Sequence, residues 1–110
     1  IRSSGHPIET RKVGDIDAEV RAAAADESLR PEGGRLAVIG YDLESLDIPS
    51  VFVLEPGHAK GMEFDTVVVV EPQSILDRPN GLALLYVAVT RTTDRLIVMH
   101  RGELPGYFSS

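Results

Sequence analysis

The sequence lacks cysteine and tryptophan altogether, and aromatic residues make up only 5% of its 110 positions. Without cysteine, the chain can form neither a disulfide framework nor a thiolate metal site. This composition fits a reducing compartment, and we expect the protein to act in the cytoplasm. No apolar run approaches the roughly 20 residues that a helix needs to cross a bilayer, so no membrane partner is expected.

An excess of positive charge is also missing. The 11 basic residues are outnumbered by 17 acidic ones, and the net charge is −6. A domain that binds nucleic acid by itself normally shows a basic face. Any contact with a nucleic-acid strand is therefore expected to be narrow, or shared with domains outside this chain. The first residue is not methionine, and we interpret the chain as part of a longer protein.

Several catalytic motifs are absent as well. No G-x-x-x-x-G-K-[ST] segment occurs, so the chain has no P-loop to hold phosphates. Neither H-E-x-x-H nor G-x-S-x-G is present, and His6, His58 and His100 are too scattered to mark a metal site. We therefore expect no metal site, and no hydrolysis of a nucleoside triphosphate by this chain alone.

Apolar runs of strand length alternate with helical patterns along the chain. Five strands are predicted, the first of them a short edge strand: Pro7 to Val13, Arg35 to Tyr41, Val51 to Leu54, Thr66 to Val70 and Arg95 to His100. Four consecutive valines at 67–70 lack the alternation of a half-exposed strand, which predicts burial on both faces of a parallel sheet.

Two helices are predicted between these strands. The first is capped by Asp15 or Asp17 and runs to about Leu29. The second is capped by Asn80, and its apolar residues follow i, i+3, i+4, i+7 spacing at Leu82, Leu85, Tyr86 and Val89. We therefore expect Tyr86 to lie in the core. Alternating strands and helices predict an α/β layered domain.

The connection between the second and third predicted strands is short. Only the nine residues from Asp42 to Ser50 separate them, whereas a parallel crossover with its helix needs a dozen or more. Either these strands do not belong to a βαβ unit, or residues of the natural protein are missing here. We favour the second explanation.

Two segments stand out for their chemistry. Residues 57–65 read G-H-A-K-G-M-E-F-D, and residues 84–92 read L-L-Y-V-A-V-T-R-T. Together they resemble motifs V and VI of the UvrD/Rep-type superfamily 1 helicases, where A-K-G-[LM]-E-F-D enters a strand and L-Y-V-A-[VL]-T-R-A follows. The resemblance implies that residues 1–110 are the C-terminal part of the second RecA-like motor domain, with a mostly parallel sheet flanked by helices, partial or truncated.

The resemblance also implies roles for four residues. Glu63 would hydrogen-bond the ribose of ATP, Lys60 would hold that glutamate and the motif V loop, and Gly61 would let the backbone turn before the strand. Arg91 would be catalytic, because a guanidinium offers a fixed charge and paired donors to the terminal phosphate. ATP and its Mg²⁺ would be bound mainly by the first motor domain of the same protein, an implied partner beside DNA.

Each of these residues also has a purely structural interpretation. Lys60 and Glu63 could form a surface ion pair worth a few tenths to about 1 kcal/mol. Arg91 could be a helix-end arginine favoured by the helix dipole. For the whole chain, the alternative is a non-catalytic RecA-like scaffold that binds a protein partner. Side chains lying far apart, rather than along one edge of the sheet, would favour that alternative.

One position departs from the motif V pattern. Many UvrD-like proteins carry H-S-A-K-G, with a DNA-associated histidine where this chain has Gly57, so that role does not transfer directly and His58 is the nearest candidate. The segment G-H-A-K-G-M-E-F-D-T-V-V-V-V-E-P resembles the HelD-type proteins of Gram-positive bacteria, as do Arg2–Gly5 and Arg95–Pro105. Those proteins are associated with RNA polymerase, which makes RNA polymerase a further implied partner.

Overall fold

A computed structural model of the chain describes residues 8–29 and 33–108, except the side chain of Glu27. The predictions that concern Arg2–Gly5, His6 and Pro7 lie outside the described residues. The fold is a five-stranded parallel sheet in the order β1-β5-β4-β2-β3. Its strands are β1 (Ile8–Lys12), β2 (Leu36–Ile39), β3 (Phe52–Leu54), β4 (Phe64–Val70) and β5 (Thr92–His100).

Helices cover both faces of this sheet. They are α1 (Ile16–Ala25), α2 (Pro72–Leu76) and α3 (Gly81–Val89), with 3₁₀ turns at Glu27–Leu29, Pro56–Ala59 and Gly106–Phe108. The described helices include none with the length and apolar character that a membrane crossing requires. The predicted α/β class, a parallel sheet flanked by helices, is confirmed.

The valine run of β4 lies at the centre of the fold. Val67 and Val69 belong to the core under α2 and α3, and Val68 and Val70 belong to the core under α1. All four are buried, because alternate side chains of a central strand point to opposite covered faces. The predicted burial on both faces is confirmed.

The first helix begins where the sequence predicted. Asp15, and not Asp17, is the N-cap: its Oδ1 accepts a hydrogen bond from the backbone N–H of Ala18 at 3.2 Å, which satisfies one free donor of the first turn. The helix ends at Ala25, and a 3₁₀ turn continues to Leu29. The predicted end at about Leu29 was therefore too late for the α-helix, because Asp26 is extended and separates the helix from the 3₁₀ turn.

The short connection between the second and third strands closes without a helix. Strands β2 and β3 are parallel neighbours, with Ala37 opposite Phe52 and Ile39 opposite Leu54. Both strands are shorter than the apolar runs that predicted them, which leaves residues 40–51 for the connection. Turns and bends fill that segment. The residues present are therefore enough to link the strands, and the geometry does not require a missing piece.

The start of α3 depends on a glycine directly after Asn80, the predicted N-cap residue. Asn80 occupies the N-cap position in the left-handed region (φ 61°), and its side chain makes no capping hydrogen bond. A Cβ at Gly81 would lie 2.3 Å from the carbonyl oxygen of Leu76. Only glycine allows α2 and α3 to meet this closely. The predicted N-cap position of Asn80 is confirmed, although its side chain makes no capping hydrogen bond.

The orientation of α3 also differs from the prediction. Leu85, Ala88 and Val89 are buried, whereas Leu82 is 62% exposed and Tyr86 is 58% exposed. The helix G-L-A-L-L-Y-V-A-V is apolar on every side, so its sequence gives little information about which face points inward. The expectation that Tyr86 lies in the core is wrong.

Candidate functional site

The two motif segments meet at the edge of the sheet where the strands begin. Strands β4 and β5 are neighbours, and Phe64 stands opposite Thr92. The backbone N–H of Phe64 donates to the carbonyl oxygen of Arg91 at 2.9 Å. This bond joins the end of residues 57–65 to the end of residues 84–92. We call this region the amino edge, and it comprises Arg35, Phe52, Glu63, Phe64 and Arg91.

The segment before β4 brings Glu63 to this edge. A 3₁₀ turn at Pro56–Ala59 follows β3, and the N–H of Met62 donates to the carbonyl of Ala59 at 3.1 Å. Gly61 has φ 79° with open space around its Cα, a conformation that costs other residues about 1 kcal/mol or more. Gly61 therefore makes the turn that the sequence assigned to it.

Glu63 and Lys60 are exposed, and their charges have no partner among the described residues. The ion pairs found between described residues join Arg11 to Glu9, Arg21 to Asp17 and Arg95 to Glu9. No hydrogen bond or ion pair within the described part of the chain involves either the Lys60 or the Glu63 side chain. The structural interpretation of these two residues as a surface ion pair is therefore wrong, and Lys60 does not hold Glu63 through such a pair.

Arg91 lies at the C-terminal end of α3, half-buried. Its Nε donates to the carbonyl of Val87 at 3.1 Å, and its Nη2 donates to the hydroxyl of Thr90 at 3.2 Å. These two hydrogen bonds hold the side chain in place. The helix dipole also favours a positive charge at this end of the helix. Of the five N–H donors of a guanidinium, two are used, and three remain for another group.

A shallow pocket adjoins Glu63. Its volume is about 190 Å³, and it is lined by Arg35, Glu63, Phe64, Asp65 and Thr93. Sites that enclose a cofactor usually measure about 300–1,000 Å³, so this pocket can hold only part of one. Neither Lys60 nor Arg91 lines it; Arg91 is connected to it through the hydrogen bond to Phe64.

Arg35 is the residue at this edge that sequence reasoning missed. Its guanidinium carbon lies 4.9 Å from the centre of the Phe52 ring and 4.8 Å from that of Phe64. A signal existed in the sequence: Phe52 and Phe64 are the first residues of their strands, and Arg35 directly precedes β2. In a parallel sheet, first residues share one edge.

His58 lies away from this pocket. It is exposed within the 3₁₀ turn, and its backbone N–H donates to the carbonyl of Glu55 at 3.0 Å. Nothing in the described geometry gives its ring a ligand or a partner. Within residues 8–29 and 33–108, no cluster of three or more histidine, aspartate or glutamate side chains could hold a metal ion.

Two larger concavities lie elsewhere. One, of about 350 Å³, is at the opposite edge of the sheet and is lined by residues that include Glu71, Asp77 and His100. The other, of about 710 Å³, runs along α3 and is lined largely by apolar groups, including Leu82, Tyr86 and Tyr107. Burial raises the pKa of Tyr107, and the nearby Tyr86 adds to that effect. Neither concavity contains a residue that the sequence assigned to a site.

Residues 50–99 match the sequence model of the UvrD-like helicase C-terminal domain. None of the curated proteins matches the chain. Seven chains of solved structures match it. One is the C-terminal domain of a possible DNA helicase from Lactobacillus plantarum WCFS1, with a TM-score of 0.67 and 22% identity over 98% of this chain and 81% of that one.

The sequence match and the structural match cover different lengths of the chain. The family match includes both motif segments and β3 to β5 up to Met99. The structural match extends over nearly the whole length, and at 22% identity it concerns the fold alone. The chain is therefore similar to UvrD-like helicase C-terminal domains in sequence over residues 50–99, and similar in fold to the C-terminal domain of a possible DNA helicase.

Proposed function

We propose that this chain is the C-terminal part of the second motor domain of an ATP-dependent superfamily 1 helicase or translocase, and that its amino edge contributes to an ATP site between two motor domains. The observation that carries the proposal is the 2.9 Å hydrogen bond from Phe64 to Arg91. It brings both motif segments to one edge, where Glu63 and Arg91 keep donors and acceptors available to a ligand.

The two side chains suit different parts of a nucleotide. The Glu63 carboxylate is exposed and can accept hydrogen bonds only, which fits the hydroxyl groups of a ribose. Arg91 has three N–H donors left in a plane fixed by Val87 and Thr90, which fits phosphate oxygens. Bound ATP with Mg²⁺ would supply the phosphoryl group that is transferred to water. The role of Arg91 is to stabilise the negative charge on that group.

The proposed site is incomplete in this chain. The pocket at Glu63 measures about 190 Å³, and the sequence contains no P-loop. The first motor domain of the same protein would supply the phosphate-binding residues. We therefore expect no measurable ATPase activity from the isolated chain.

Steady-state ATPase activity of the full-length protein tests this function. Arg91→Ala should lower kcat by about 10³-fold or more, the range for arginines that act on a transferring phosphoryl group. Much of the ATP affinity should remain, because other groups hold the nucleotide. Near-normal turnover by the Arg91→Ala protein would contradict the proposal.

The purpose of the motor is a second part of the proposal. We favour the HelD-like role of displacing nucleic acid from RNA polymerase over plain DNA unwinding. A net charge of −6 fits binding to a protein partner better than binding to DNA without the help of other domains. In addition, Gly57 stands where many UvrD-like proteins have the DNA-associated histidine. Co-purification of the full-length protein with RNA polymerase, without strand displacement on a DNA duplex, is the expected result. Strand displacement without RNA polymerase binding would assign it to DNA unwinding.

The scaffold alternative makes a different prediction. A non-catalytic module has no use for Glu63 and Arg91 at the same edge of the sheet, and this placement argues against it. If the scaffold reading were right, Arg91→Ala and Glu63→Ala would leave ATP turnover and partner binding unchanged. Measuring both properties for each variant separates the two functions.

A further inference from the structure

Arg35 has an unusual place at the amino edge. Its guanidinium lies over both phenyl rings, 4.9 Å from the centre of Phe52 and 4.8 Å from that of Phe64. The rings are 5.3 Å apart and inclined at 50°. Contacts of this kind attract a cation to the ring faces. The flat end of Arg35 is therefore held in one place, although the residue is exposed.

The backbone of Arg35 is fixed as well. Its N–H donates to Oδ2 of Asp65 at 2.7 Å, and its carbonyl accepts from the N–H of Asp65 at 3.1 Å. The Asp65 carboxylate is thus directed to the backbone, and no ion pair within the described residues involves the Arg35 guanidinium. Arg35 consequently presents a planar cation that is positioned but not neutralised.

The surroundings indicate which ligand fits this cation. Arg35 shares its pocket with two carboxylates, Glu63 and Asp65. A bare phosphate would be repelled by them. A group with hydroxyls for Glu63 and a flat π system for Arg35 fits better, because guanidinium planes stack on nucleobases. A nucleoside combines both features.

We propose that Arg35, supported by Phe52, forms a stacking surface for the base of the nucleotide whose ribose is bound by Glu63. This inference rests on the proposed function, since it places the base at the same interdomain site. Stacking requires only a π face and is tolerant of base identity. Arg35 would therefore strengthen nucleotide binding with little preference for adenine over guanine.

The test uses the full-length protein, with ATP as substrate and inorganic tripolyphosphate as a probe that lacks base and ribose. Arg35→Ala should raise the KM for ATP roughly 5- to 100-fold, the range for loss of one stacked base, and change kcat less than about twofold. The inhibition constant of tripolyphosphate should stay the same. Arg35→Lys, which keeps the charge but not the plane, should raise KM nearly as much.

Two results would overturn the stacking role. An unchanged KM for ATP would do so, and so would an equal rise in KM and in the tripolyphosphate inhibition constant, which would place Arg35 on the phosphates. If Arg35→Ala fails to fold, Phe52→Leu can replace it, because this variant removes the ring under the guanidinium. Phe52→Leu should give a smaller rise in the KM for ATP. No rise in KM would contradict the stacking role as well. If Arg91→Ala keeps normal turnover, the proposed function itself has failed, whatever Arg35 does.

Discussion

The polar groups at the two ends of the parallel strands differ in their hydrogen bonding. At the carboxyl edge, where β4 and β5 end, the N–H of Arg101 donates to the Glu71 carboxylate at 2.9 Å, and Nδ1 of His100 lies 2.7 Å from the carbonyl of Gly102. At the amino edge, Glu63 has no partner among the described residues, and Arg91 keeps three donors. At the carboxyl edge these polar groups are used in internal hydrogen bonds, whereas Glu63 and Arg91 at the amino edge keep groups that a ligand can bind.

This difference bears on where a nucleotide can bind. Ligands of open parallel sheets usually bind beyond the carboxyl ends of the strands, often at the N-terminus of a helix. Here the carboxyl end of β4 leads through Glu71 (φ 51°) into the five-residue helix α2. That junction carries a negative charge and no glycine-rich loop, so it is poorly suited to phosphate. The amino edge is the better candidate for the proposed ATP site.

A large increase in the KM for ATP is expected from Glu63→Ala in the full-length protein. Loss of a hydrogen bond to a charged acceptor costs about 1.5–3 kcal/mol, so the KM for ATP should rise on the order of 10- to 100-fold. The stability of the protein should not change, because Glu63 is exposed and unpaired. Steady-state kinetics with ATP and with a 2′,3′-dideoxy nucleotide measure this effect.

The dideoxy nucleotide supplies the control for Glu63. Because it lacks the hydroxyls that the carboxylate would bind, it should be a poor substrate for the unaltered protein. Glu63→Ala should then handle ATP and the dideoxy nucleotide almost equally. If the variant still distinguished them as strongly as the unaltered protein does, Glu63 would not be the ribose contact.

At the carboxyl edge, Glu71→Ala is expected to change the stability of the fold and not the binding of ATP, and the change should be smaller. Removing the acceptor of the Arg101 N–H should lower the free energy of unfolding by about 1 kcal/mol, and the KM for ATP should stay unchanged. Glu71→Gln keeps an acceptor oxygen and should be nearly neutral. Urea unfolding of the isolated chain measures the difference, and a raised KM with unaltered stability would reverse the assignment of the two edges.

The smallest effect is expected at Glu9 on β1, which belongs to neither the amino edge nor the carboxyl edge. The hydrogen bond from Arg11 is the main cause that lowers the pKa of Glu9, and Arg95 contributes further. A lowered pKa means that the pairing stabilises the fold above the ordinary pKa of a glutamate and ceases to do so as pH falls. Since these groups are partly exposed, Glu9→Gln should cost only a few tenths of a kcal/mol at pH 7.

Unfolding curves at several pH values check this expectation for Glu9. The difference between Glu9→Gln and the unaltered chain should shrink as the pH falls through about 4 and below, and it should also shrink at high salt. A difference that grew on acidification would mean that Glu9 is not stabilised as a carboxylate.

Much of this fold could be predicted because the relevant signals are local. The valines of β4 are not interrupted by polar residues, and Asp15 stands directly before the helix α1 with a side chain that can cap it. The position of α3 could not be predicted in the same way. Its residues are apolar on all sides, so the close contact at Gly81 and the packing of Leu85, rather than a sequence pattern, determine that Leu82 and Tyr86 point outward.

The candidate site was predictable only in part. The spacing of the two motif segments places Glu63 and Arg91 just before neighbouring strands, and the register of β4 against β5 then brings them to one edge. The position of the Arg35 guanidinium depends on contacts between residues at the starts of three different strands. The positions of these residues at the starts of their strands place them at one edge, but only the strand order shows that Arg35 lies beside Phe52 and Phe64.

The most direct measurement compares the two arginines that flank β5. Arg91 immediately precedes the strand and Arg101 immediately follows it, so the same substitution can be made at each edge. In steady-state ATPase assays of the full-length protein, Arg91→Ala should lose about 10³-fold or more in kcat, and Arg101→Ala should stay within about twofold of the unaltered protein. Equal activities of the two variants, or a greater loss at Arg101, would contradict the assignment of the ATP site to the amino edge.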